Sequence, residues 1–176
     1  MESEIWYILN SVTNALCELK AAGYYHGDVQ PCNILIDDSG SVKLLDVMCY
    51  DNKNNTGLMR MIQSSSHLSP IAPELMDQYM KRMPNLNYSF EKADIFSLGI
   101  TLLCICTVVD YRGTYYSFSD YKVKHDIINQ EIIKISNNTK YSQALLQVMA
   151  SMLQPEPSKR FGLDQLRRFI QDNVEL

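Results

Sequence analysis

The chain has 176 residues, 46% of them apolar and 20% charged, with a net charge of −4 at pH 7. That length and balance are ordinary for a soluble globular domain with a sizeable core. The negative charge, with basic residues no denser than the pairs Lys81-Arg82 and Arg167-Arg168, argues against a nucleic-acid binder.

Taken in chain order, Ile5, Trp6, Ile8, Leu9, Val12, Ala15, Leu16 and Leu19 recur at helical spacing and Gly23 follows as a stop signal, which predicts a helix over residues 4–22. Tyr24-Tyr25 then leads into a tight loop, His26-Gly27-Asp28-Val29-Gln30-Pro31-Cys32-Asn33. Residues 33–37 and 41–45 are strand-like runs separated by Asp38-Ser39-Gly40, a good turn. A hairpin of these runs brings Asn33 and Asp46 to the same end, with Asp28 just upstream. Moving a phosphoryl group needs a divalent metal to neutralise phosphate oxygens and a carboxylate to orient the attacking hydroxyl and take its proton. Hard oxygen ligands suit Mg²⁺. Asp28, Asn33 and Asp46 therefore read as a candidate base and metal cluster.

Farther along, residues 51–57 are a polar, turn-rich tract, residues 73–82 suggest a short helix, and residues 83–89 and 110–119 read as loops. Residues 95–109 are mostly apolar and bounded by Asp94 and Asp110. The run is shorter than the roughly 20 residues that cross a bilayer and fits a helix buried in a core. Residues 122–135, 142–153 and 164–174 suggest three more helices whose apolar stripes are read as core. His67 and His125 read as surface residues. Five cysteines, Cys17, Cys32, Cys49, Cys104 and Cys106, show no C-x-x-C spacing, and the odd count without a signal peptide reads as reduced bystander thiols in the cytosol or nucleus.

The loop H-G-D-V-Q-P-C-N followed by Asp46-Val47-Met48 resembles the catalytic loop and metal-binding strand of the eukaryotic protein kinase family, H-R-D-L-K-P-x-N and D-F-G. The family's A-P-E is present as Ala72-Pro73-Glu74. Lys92-Ala93-Asp94-Ile95-Phe96-Ser97-Leu98-Gly99 resembles its D-x-W-S-L-G helix start, and the stretch from Met152 to Arg160 resembles its late M-L-x-x-D-P-x-x-R. Aminoglycoside and choline kinase-like small-molecule enzymes share the H-G-D-x-x-x-x-N then D pattern, and the later landmarks favour the protein kinases over that alternative. The resemblance implies a mainly α (α+β) fold, a protein-kinase-like C-terminal lobe built as a helical bundle with a small β-hairpin at the catalytic loop, over the whole of residues 1–176. It implies Asp28 as base, Asn33 and Asp46 as ligands of Mg²⁺ and ATP, Gln30 at the place of a phosphate-binding residue, His26 as a structural histidine, and a buried ion pair between Glu74 and Arg160. Asp94 is implied to hold the catalytic-loop backbone, beside the plainer reading of an N-cap-like Asp. Pro31 and Asn33 suggest the Ser/Thr branch.

The departures point away from full activity. The Ser/Thr branch has Lys where Gln30 stands, and losing one such electrostatic partner costs on the order of 10²-fold in rate. Met48 replaces the D-F-G glycine, Gly27 replaces the arginine that reads a phosphorylated activation segment, and Ser66-His67-Leu68-Ser69-Pro70-Ile71 stands where the family has G-T-x-x-Y-x. The seven glycines form no G-x-G-x-x-G, so an N-terminal lobe is read as absent. The expectation is an impaired or inactive kinase-like lobe, with ATP and Mg²⁺ as cofactors if active. The alternatives are a pseudokinase-type module that binds a protein partner or the missing N-terminal lobe through exposed apolar surface, or a truncated product of a complete kinase. No nucleic-acid or membrane partner is expected.

Overall fold

The computed structural model describes residues 1–45, 69–81, 88–117, 119–137 and 140–174. It is a mainly helical α+β fold, a bundle of helices with two small antiparallel hairpins. Helix α1, Glu2–Ala21, buries Ile5, Trp6, Leu9, Val12 and Leu16 along one face. It stops where expected: Gly23 is left-handed (φ 84°), its N–H donates to the Lys20 carbonyl, and the Tyr24 N–H reaches the Leu19 carbonyl at 2.9 Å. That pair of bonds satisfies carbonyls the helix itself leaves open.

A short 3₁₀ turn, Pro31–Asn33, leads into β1, Ile34–Ile36, which pairs antiparallel with β2, Val42–Leu44, in the register Ile34↔Leu44 and Ile36↔Val42. The turn between them is held by Asp37, whose Oδ1 accepts the Ser39 and Ser41 N–H groups at 3.0 Å, and by Gly40 at φ 82°. Helix α2, Pro73–Met80, follows Ala72.

Helix α3, Phe90–Thr107, is the centre of the fold, and every residue from Ala93 to Cys104 is buried. A helix apolar all round has no solvent face to keep, so neighbours cover it on every side. Glycine permits the closest of these contacts: a Cβ on Gly99 would lie 3.0 Å from the Leu153 side chain. Helices α5, His125–Ser136, α6, Gln143–Met152, and α7, Leu163–Asn173, complete the bundle, with α6 against α3 and α7 against α1. No helix of the described residues is long and apolar enough to cross a membrane.

Four sequence expectations are corrected. Residues 110–119, read as a loop, contain helix α4, Tyr111–Tyr115, capped by the Asp110 carboxylate on the Arg112 N–H, and strand β3, Tyr116–Ser117. Burial of the Tyr111, Tyr115 and Tyr116 rings gives that polar-looking stretch its order. The helix expected over 122–135 begins only at His125, because β4, Lys122–Val123, pairs with β3. The N-cap of α3 is Ser89, accepting from the Lys92 N–H at 3.3 Å, so Asp94 is no cap. His125 sets its ring edge-on to Phe96, with centroids 6.3 Å apart, and burial lowers its pKa. The tract 51–57, His67 and Cys49 lie outside the described residues.

Candidate functional site

The loop from His26 to Asn33 is fixed from below by the central helix. Asp94, fully buried on α3, accepts the His26 N–H on Oδ2 and the Gly27 N–H on Oδ1, each at 2.8 Å. Burial pushes this carboxyl up to about 7, against the pull of the two amides. Gly27 sits at φ 79°, in the left-handed region that favours glycine, so the residue standing at the family's arginine position is matched to this backbone.

His26 is completely buried and its two nitrogens have distinct partners. The Asp28 N–H donates to Nδ1 at 3.1 Å, which makes Nδ1 an acceptor, and Nε2 lies 2.9 Å from the Leu45 carbonyl, where it must carry the proton. The neutral ring thus ties the loop to the strand that leads to residue 46. The Leu45 N–H also reaches the Asn33 carbonyl at 2.8 Å, so the hairpin ends beside Asn33 as its register requires. Asp46 lies outside the described residues.

Around the Asp28 carboxylate the chain places three donors. The Gln30 amide nitrogen lies 2.8 Å from Oδ1 and 3.0 Å from Oδ2. Asn33 Nδ2 donates to Oδ2 and to the Asp28 carbonyl, both at 2.8 Å. Ser69, from the segment before A-P-E, donates its hydroxyl to Oδ1. With the Asn33 nitrogen turned to Asp28, its side-chain oxygen is the atom left for a hard cation, which fits the donor chemistry of Mg²⁺. Gln30 is itself held by the Tyr111 hydroxyl, which donates to its Oε1 at 3.1 Å.

The A-P-E segment is fastened to the same scaffold. Ser97 Oγ donates to the Pro70 carbonyl at 2.6 Å and the Tyr116 hydroxyl to the Ile71 carbonyl at 3.0 Å. Glu74 meets Arg160 in a two-pronged pair, Oε1 to Nη1 at 2.9 Å and Oε2 to Nη2 at 3.0 Å. The remaining Arg160 donors reach the carbonyls of Lys92 (2.6 Å), Pro155 (3.2 Å) and Gln154 (3.0 Å), and its guanidinium lies 4.8 Å from the Phe96 ring centroid. A buried cation with every donor matched fixes the geometry of what it holds.

Of the cluster Asp28, Asn33 and Asp46, the first two meet directly and Asp46 lies outside the described residues, while Gln30, given a role by the resemblance, bonds the same carboxylate. Ser69 and Tyr111 were not singled out: one contributes through a fold across many residues, the other through a short helix that the sequence does not announce. Among the thiols, Cys32 is exposed beside the site, while burial pushes Cys104 up to about 12 and Cys106 up to about 11, well away from reactive thiolate.

A protein kinase domain family model matches residues 1–169. The chain is 28% identical over 166 residues to serine/threonine-protein kinase dst2 of Dictyostelium discoideum, covering 90% of this chain and 13% of that protein. It is 31% identical over 165 residues to dual specificity mitogen-activated protein kinase kinase mek-1 of Caenorhabditis elegans, covering 89% of this chain and 42% of that protein. It is 27% identical over 166 residues to the membrane-associated tyrosine- and threonine-specific cdc2-inhibitory kinase of Drosophila melanogaster, covering 94% and 28%. The chain thus spans less than half the length of each of these relatives. With a family model matched over nearly all of its length, and the loop, helix and ion-pair landmarks each formed, the chain belongs to the protein kinase family.

Proposed function

We propose that this chain is a protein-kinase C-terminal lobe of Ser/Thr type whose phosphoryl transfer, from ATP to a protein hydroxyl, is weakened at Gln30. The observation that supports this most is the Asp28 carboxylate, bonded by Gln30, Asn33 and Ser69 at the end of a loop tied to α3. Asp28 is the residue to orient an acceptor hydroxyl and take its proton. Asn33 and Asp46 are the residues to hold Mg²⁺, which when bound neutralises charge on the phosphates. Gln30 gives this carboxylate a hydrogen bond and no positive charge, so charge developing on the transferred group lacks one electrostatic partner. Ser69 already occupies an acceptor position on Oδ1, and an incoming hydroxyl has to displace it.

The test is transfer of label from Mg²⁺·ATP to a library of Ser- and Thr-bearing peptides. Slow transfer by the unaltered chain that vanishes in Asp28→Ala is the expected outcome. Transfer that survives this change removes Asp28 as the base.

A second reading, a protein-binding module, is favoured by the hairpin surface, where Leu35, Ile36 and Leu45 are 46%, 52% and 39% exposed. Large apolar side chains left in water on this short hairpin offer a surface to a partner, and a sibling lobe or a separate protein is the proposed occupant.

A further inference from the structure

Gln30 is nine-tenths or more buried and both ends of its amide are committed, which raises the question of what aims it. Its nitrogen meets both oxygens of Asp28, and its oxygen accepts from the Tyr111 hydroxyl at 3.1 Å. An amide offers donors at one end and an acceptor at the other, so the phenol at Oε1 selects the rotamer that turns Nε2 to the carboxylate. Tyr111 is buried on α4, an element separate from the loop, and α4 is fixed in turn by its Asp110 cap and by the edge-on contact of Tyr111 with Tyr116, with ring centroids 6.1 Å apart. The Arg112 guanidinium lies beside the same phenol, 5.7 Å from the ring centroid, and draws its pKa down against the larger upward push of burial. The order Arg112, Tyr111, Gln30, Asp28 therefore runs from a cation through a phenol and an amide to the carboxylate. Each bond in such a row polarises the next.

We infer that Tyr111 is a positioning residue for the Asp28 carboxylate, acting through the Gln30 amide. The inference rests on Asp28 as the proton acceptor proposed above, and on Gln30 as the neutral residue beside it. It makes α4 part of the machinery of the loop: without the phenol, the Gln30 amide is free to rotate and its hold on Asp28 is shared with other orientations.

Tyr111→Phe removes only the hydroxyl. In ¹⁵N-labelled protein, the Gln30 side-chain amide, identified by its absence in Gln30→Ala, is expected to exchange with water about 5–10-fold faster in Tyr111→Phe, the change that accompanies loss of one hydrogen bond. In the transfer assay the same variant is expected to lower kcat by a similar factor and leave the peptide KM unchanged. In a Gln30→Met background residue 30 offers the phenol neither donor nor acceptor, so Tyr111→Phe has no further effect there. Unchanged Gln30 exchange in Tyr111→Phe, or an equal loss of kcat in the Gln30→Met background, overturns the inference. A chain with no transfer at all fails the proposed reaction instead, and the exchange measurement still decides whether Tyr111 aims Gln30.

Discussion

Glu74→Ala lowers the stability of the lobe by about 3–5 kcal/mol, the usual cost of leaving one partner of a buried pair alone. The size follows from Arg160, whose side chain is 0% exposed while Glu74 is 13% exposed. Removing the carboxylate leaves a desolvated guanidinium whose other donors are directed at backbone carbonyls that cannot neutralise it. Arg160→Met in the Glu74→Ala background removes the stranded charge and is expected to recover part of the loss. Urea denaturation of the four combinations measures both, and an additive double variant contradicts the pairing. The same pair holds the start of α2 against the late loop, so the segment that brings Ser69 to Asp28 depends on it.

Asp94→Ala is expected to cost about 1–3 kcal/mol for each of the two loop amides it leaves without an acceptor. The His26 and Gly27 N–H groups both end on this carboxylate, so the loss falls first on the loop from His26 to Asn33. Its pH dependence has a definite sign. The folded-state value of about 7 stands above the unfolded value of about 3.9, so between them the native state holds a proton that the unfolded chain has released. The Asp94 contribution to stability is therefore fully present below about pH 4 and declines as pH rises towards 7. Removing Asp94 removes that slope, and the deficit of the variant is larger at pH 5 than at pH 8. Equal deficits at the two pH values contradict the assignment.

Much of this was legible in the residues, and the reasons differ from place to place. The α1 stripe, its Gly23 stop and the Asp37 to Gly40 turn are local chemistry, so sequence spacing suffices to place them. The contact of Asp28, Gln30 and Asn33 is also local, all within one tight loop. The stretch after Asp110 looks like a loop in sequence because its order comes from burying three tyrosines in the packed interior, which no periodicity records. The Ser69 hydroxyl and the Tyr111 phenol reach the site for the same reason, through packing across the chain. Asp94 holds the loop as the resemblance implies, while the plainer reading as an N-cap fails because the backbone enters the helix at Phe90, with Ser89, five residues before Asp94, as the cap.

Among the described residues the scaffold is held by the Asp94 and Arg160 contacts, and we propose that Gln30 is where its chemistry is weakened. The most direct measurement is the single-turnover rate of label transfer from Mg²⁺·ATP by the unaltered chain and by Gln30→Lys, side by side. A rise on the order of 10²-fold is expected when the charge is supplied at residue 30. Fast transfer by the unaltered chain, dependent on Asp28 and not raised by Gln30→Lys, would contradict it.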